Sequence, residues 1–265
     1  MAEVSANGRS PWEIQRAVVT ALILRELKSR FGAHRLGYIW VPLEPALHMM
    51  VLVVVFGFIR QRVQAGIDFP VFLIVGLIPY LLFKNISLRT MNAMEANRAL
   101  FAYRQIKPMD TFVSRAIFES VMMLIVYILM LFFMGALGFS VVPAAPFLLV
   151  VIHGMIVLFG LGFGMILSVA VDWLPEVRLF VQIVYLPLYF ISGVMFPLTM
   201  VPPEILPWIV WNPVLHFVEL ARSGFFPNYQ LSPVVSWELV VMVTLVSLFL
   251  GLAVYYARRT RMVRR

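Results

Sequence analysis

The residues able to do chemistry in this chain are few and far apart. Thirteen Asp and Glu, four His and no Cys occur in 265 residues, so thiolate nucleophiles, disulfides and cysteine-ligated metals have no basis here. His34, His48, His153 and His216 do not stand at metal-ligand spacing. Glu44, Glu119, Asp172, Glu176 and Glu238 fall at the ends of long apolar runs rather than within them. Ionisable groups inside a membrane are costly and mark ion or proton paths, and only His48 and His153 lie inside such runs, without an acidic neighbour. They read as packed, hydrogen-bonded side chains, which argues against proton coupling. There is no G-x-x-x-x-G-K-[ST] loop, no H-E-x-x-H and no G-x-S-x-G elbow, and Gly is nowhere followed by Lys. The chain is therefore expected to be no enzyme. Gly160, Gly162 and Gly164 lie within an apolar run, where small residues at this spacing serve close helix packing.

The elements that carry these side chains need lipid as their solvent. The sequence is 62% hydrophobic and 13% charged, with a mean hydropathy of +0.93, far from the makeup of a soluble domain. A bilayer core of about 30 Å takes roughly 20 helical residues. Six runs near that length occur, at 38–59, 69–88, 116–137, 146–171, 179–200 and 235–257. The expected fold is all-α, a six-span membrane domain over 37–265 preceded by an interfacial segment over 1–36. The first run contains Pro42, Glu44 and Pro45, so its start is expected to be bent or interfacial.

Charge sets the expected orientation, because Lys and Arg are retained on the cytoplasmic side. With both termini inside, all of the 21 Lys and Arg except Arg60, Arg62 and Arg222 are cytoplasmic. The net charge of +8 is thus topological, and the basic residues are not interleaved with aromatics as in a nucleic-acid face. Trp12 to Phe31 mixes Trp12, Val18, Leu22 and Leu27 with Arg16, Arg25 and Lys28, which predicts an amphipathic helix at the headgroups, drawn to membrane lipids. In the connector after the second run, Asn97, Leu100, Phe101 and Arg104 share one side of a short helix, with Arg98 and Tyr103 beside them. A solvated loop explains Arg98 but not the apolar residues, and the spacing predicts a docking element for a cytoplasmic partner. Between the fifth and sixth runs, prolines including Pro202, Pro203, Pro207, Pro213 and Pro227 interrupt an apolar, aromatic stretch, which predicts short re-entrant helices packed against protein. Trp208, Trp211 and Phe217 there read either as an interfacial belt or as the lining of an exit path on which sugars stack.

Six spans, an amphipathic start and a docking connector resemble a type-two ABC exporter permease, most closely the capsular-polysaccharide group. The residues carrying the likeness are Arg25-Glu26-Leu27-Lys28-Ser29-Arg30-Phe31-Gly32, Arg35-Leu36-Gly37-Tyr38-Ile39-Trp40 and Leu43-Glu44-Pro45. Further matches are Asn97-Arg98-Ala99-Leu100, Lys107-Pro108-Met109-Asp110, the run from Leu186 to Gly193, and Trp211-Asn212-Pro213 with Glu219 and Arg222. The resemblance implies a homodimer in the bacterial inner membrane, joined by two ABC ATPase subunits that hold ATP and Mg. It implies that a lipid-linked polysaccharide is moved onward to periplasmic export partners. Arg25, Glu26, Lys28, Arg30, Arg35 and Tyr38 then sit where substrate enters, Asn97 to Arg104 couple to the ATPase, and Glu44 and Asp172 hold helix ends. Permeases for O-antigen, teichoic acid or small molecules share this architecture, and a membrane-embedded enzyme acting on lipid or glycan is the alternative from another class.

Overall fold

The computed structural model describes residues 10–31, 37–57, 62–64, 66–103 and 105–264. Helix α1 (Pro11–Phe31) opens with a capping box: Glu13 N donates to Ser10 Oγ at 3.3 Å, and Ser10 N donates to Glu13 Oε2 at 2.8 Å. Helix α2 (Gly37–Gly57) follows, and then two short antiparallel strands, β1 (Arg62–Gln64) and β2 (Ile67–Asp68), turn the chain into α3 (Phe69–Met91). A connector holds α4 (Ala93–Ala96) and a 3-10 turn at Arg98–Ala102. Next come α5 (Pro108–Ala136), α6 (Pro146–Trp173) and α7 (Val177–Ile191). The short α8 (Leu206–Ile209) and α9 (Pro213–Phe225) precede the closing α10 (Trp237–Arg264). Proline occupies the first or second position of α3, α5, α6, α8 and α9, where its missing N–H costs nothing.

Among the described residues, four helices are long and apolar enough to cross a membrane: Phe69–Met91, Pro108–Ala136, Pro146–Trp173 and Trp237–Arg259. The expected first and fifth spans are present as shorter apolar helices, Ala46–Val55 within α2 and Val177–Ile191. The fifth was expected to run on to Met200. It stops earlier because Gly193 takes φ +67 in the turn after Ser192, and the Asn212 Nδ2 donates to Ser192 Oγ at 2.9 Å, tying that turn to the start of α9.

The core is built around α3, which packs against α5, α6 and α9 and buries most of its side chains. Small residues decide how closely the helices approach. Gly160 and Gly164 face α3, where a Cβ on Gly164 would meet Thr90 Cβ at 2.6 Å. Gly162 points the opposite way, at α10: its Cβ would lie 2.5 Å from Leu248 N, and Gly251 stands against Gly162 O in return. The glycine run expected to serve packing therefore serves two contacts at once. Helix α7 docks on α3 through tyrosines: Tyr80 Oη donates to Tyr185 O, the Tyr185 and Ser87 hydroxyls pair, and Tyr189 meets the Tyr80 ring edge-on at 5.2 Å.

Candidate functional site

Two polar clusters stand at opposite ends of this bundle. At the basic end α1 lies against α5, with Leu22 buried and Ile23 and Leu27 packed on Phe118 and Met122. Ion pairs fasten the same contact. Arg30 pairs with Glu119 and, at 3.3 Å, with Glu26; Arg115 reaches Glu26 at 3.5 Å; Arg89 reaches Glu119 at 3.6 Å. Arg115 Nη1 also donates to Arg89 O at 2.7 Å, and the Arg30 guanidinium covers the Phe118 ring at 4.6 Å. Glu119, expected at the end of a span, is buried well inside α5, because that helix begins eight residues earlier than the apolar run.

The connector is tied to the same network. Arg25 Nη1 donates to Asn97 Oδ1 at 2.6 Å while Asn97 Nδ2 donates to Ala93 O at 2.8 Å. Asn97, expected among the docking residues, is buried and held between Arg25 and Ala93. Arg98 and Tyr103 are exposed and Leu100 and Phe101 half-buried. The connector is also not one helix but α4 and a 3-10 turn, since Asn97 at φ −118 breaks the α-helical ladder. Leu100, Tyr103 and Ile106 face Ile14, Val18 and Leu22 of α1 across an apolar groove of about 620 Å³. Arg178 pairs with Glu95, joining α7 to α4. Lys28 is exposed on α1, and Asp172 is half-buried near the end of α6. Arg35 and Arg104 lie outside the described residues, as do the side chains of Tyr38 and Glu44.

At the aromatic end, Trp208 and Trp211 are open, 83% and 84% exposed. Phe217 does not join them. It is 1% exposed and stacks on Phe159 at 5.7 Å, because α9 turns this face into the core to pack on α6. Beside it lies a cluster that the spacing of residues did not reveal. Arg222, fully buried, donates to Gly193 O at 2.7 Å, Val194 O at 2.6 Å and Glu219 Oε1 at 3.1 Å. Its guanidinium stacks 3.6 Å above the Phe72 ring, and Tyr229 Oη donates to Glu219 Oε1 at 2.9 Å. Gly76 of α3 leaves the room this needs: a Cβ there would overlap Arg222 Nη2 and lie 2.9 Å from its Cζ. A buried charge is tolerated when it is paired; here the pair locks the end of α7 to α9 and α3, while Arg222 Nε and Glu219 Oε2 have no hydrogen-bond partner among the described residues.

The profile of the ABC-2 type transporter family matches residues 17–226, which takes in the first cluster and Glu219 and Arg222 of the second. The chain belongs to the ABC-2 type transporter family. It is 42% identical to the polysialic acid transport protein KpsM of Escherichia coli, over 96% of this chain and 98% of that protein. It is 28% identical to the capsule polysaccharide export inner-membrane protein CtrC of Neisseria meningitidis serogroup B, over 91% and 92%. It is 26% identical to the capsule polysaccharide export inner-membrane protein BexB of Haemophilus influenzae, over 90% of each. Within this ABC-2 chain, sequence reasoning missed Arg89, Arg115 and Tyr229, and it named Glu119, Glu219 and Arg222 without seeing the clusters they form. A usable signal existed for the first cluster: Arg115 and Glu119 stand four apart at the head of an apolar run, one helical turn, and point the same way.

Proposed function

We propose that this protein is the membrane subunit of an ATP-driven exporter that moves a lipid-linked, acidic capsular polysaccharide across the bacterial inner membrane. The observation that carries the reading is the 42% identity to a polysialic acid transport protein over nearly the full length of both chains. Two such subunits form a homodimer, two cytoplasmic ATPases bind ATP and Mg, and a periplasmic export protein receives the product. Six spans with both termini cytoplasmic place the basic end inside, in keeping with the retention of Lys and Arg.

Energy then enters through the connector. Arg98, Leu100, Phe101, Tyr103 and Arg104 meet the ATPase, and Asn97 with Arg25 carries its movement to α1. Exposure of Tyr103 above an apolar groove supports a protein contact at this point. Arg25, Glu26, Lys28, Arg30, Arg35 and Tyr38 line the route by which substrate enters, Glu44 and Asp172 hold helix ends, and Trp208 and Trp211 stand at the outer face, where sugar rings stack.

The test is ATP hydrolysis in lipid nanodiscs by the chain co-expressed with its neighbouring ATPase, with and without lipid-linked polysaccharide. A two-plus-two complex whose hydrolysis rises with substrate is expected. A well-folded chain that retains no ATPase would overturn the reading.

A further inference from the structure

Among the described residues the ion pairs of the basic end do not balance. Arg25, Arg30, Arg89 and Arg115 converge there, and of the described carboxylates Glu26 and Glu119 pair with them. Both carboxylates are already shared: Glu119 by Arg30 and Arg89, Glu26 by Arg30 and Arg115. Arg25 is turned to neutral groups, Asn97 Oδ1 and Ala96 O. Buried Nε–H groups of Arg30 and Arg115 have no acceptor among the described residues. Arg89 is half exposed, and its one ion pair is through Nε at 3.6 Å. The four arginines and Glu26 line a cavity of about 300 Å³ between α1, the end of α3, the connector and α5, together with Asn97. Among the described residues, the largely buried Arg30 and Arg115 and the exposed Arg25 and Arg89 have two carboxylates between them, so a further anion at this place would relieve the repulsion of the buried pair.

We infer that this cavity is a binding site for a phosphate ester, held by Arg89 and Arg115 with Arg30 and Arg25 behind them. A phosphate offers several acceptor oxygens at once, which is what forked guanidinium donors fit and what the unpartnered Nε–H groups lack. The cavity is wider than the phosphate itself and leaves room for the glycerol or sugar attached to it. Its position under the interfacial helix sets it at the level of lipid headgroups. The same chemistry is presented by an anionic phospholipid, by the phosphate that joins a saccharide to its lipid, and by free phosphate. The inference deepens the export reading by naming the group recognised where substrate enters, yet its test needs neither ATPase nor transport.

Retention of phosphatidylglycerol by the purified full-length chain in detergent, measured by native mass spectrometry against diacylglycerol, reads the site directly. Phosphatidylglycerol is expected to be preferred, and Arg89→Gln to lower its retention about tenfold, the worth of one charge-assisted hydrogen bond. Arg89→Lys should restore part of it, and Lys107→Gln, an exposed cation of the same end outside the cavity, should leave it unchanged. Because Arg89 is half exposed, Arg89→Gln should elute and melt as wild type. The same variants titrated with inorganic phosphate, by melting temperature, and with lipid-linked saccharide extracted from producing cells tell the three sources apart. An Arg89-dependent response to any of them supports the site and names its ligand. Equal losses in Arg89→Gln and Lys107→Gln, or no Arg89 dependence with any of the three, would overturn it.

Discussion

Arg222 shows how much one side chain settles when it is buried with its charge. Its donors reach two backbone carbonyls of the turn after α7 and the Glu219 carboxylate, so the turn, α9 and α3 share one partner. Removing one member of such a pair strands the other. Arg222→Ala is expected to cost about 3–5 kcal/mol, read as a collapse of the monodisperse peak in size-exclusion chromatography. Replacing both, Glu219→Gln with Arg222→Met, should recover part of the yield, since an uncharged pair of similar shape leaves no naked charge. Gly76→Ala should also destabilise, by about 1–3 kcal/mol, since the added methyl displaces a guanidinium that is held at its far end. A Gly76→Ala protein that melts like wild type would show that the guanidinium can move aside.

Between elements, approach distance and charge do different jobs. Helices in lipid gain little from apolar contact with one another, so close backbone packing matters more. Gly162→Ala pushes a methyl into the α10 backbone and is expected to lower the melting temperature, whereas Gly154→Ala, with nothing within 4 Å of its Cβ, should be neutral or slightly stabilising. Differential scanning fluorimetry of the two variants side by side separates packing from helix propensity. The interfacial helix is held differently, by Glu119 and Glu26 as well as by Leu22. Glu119→Gln removes the shared partner of Arg30 and Arg89, and α1 should loosen. A cysteine placed at position 22 in this cysteine-free chain would then react with a maleimide several-fold faster than in the otherwise wild-type protein. Unchanged labelling would mean that apolar packing alone keeps α1 in place.

For the whole molecule, orientation is the property with the widest consequences, because it decides which end could meet the proposed ATPase. The absence of native cysteine permits single-cysteine mapping in intact cells. Tyr103→Cys is expected to be shielded from a membrane-impermeant maleimide until the membrane is opened, and Trp208→Cys to react at once. The reverse pattern would place the basic end outside and remove the connector from any ATPase. Coupling belongs to this scale too: Arg98→Glu with Arg104→Glu should leave insertion intact but abolish substrate-stimulated hydrolysis, and normal export by that variant would reassign the connector.

Hydropathy and charge alone determined that the chain lives in lipid, roughly where its long apolar helices run, and that a helix precedes the first of them. These properties are sums along the chain, and transfer from water to lipid acts on each segment separately. The motif around Arg25 to Arg30 falls in the polar cluster of the basic end, but its partners there were not legible. Tertiary structure decided the rest. Glu119 looked like a span end until α5 proved to begin at Pro108, and Phe217 looked like an exposed aromatic until α9 folded inward. Asn97 and Arg222 proved buried for the same reason. Whether a polar group is free, paired or buried depends on which residues distant in sequence stand opposite it, as Glu119 stands opposite Arg30 across 89 positions, and no local pattern carries that information.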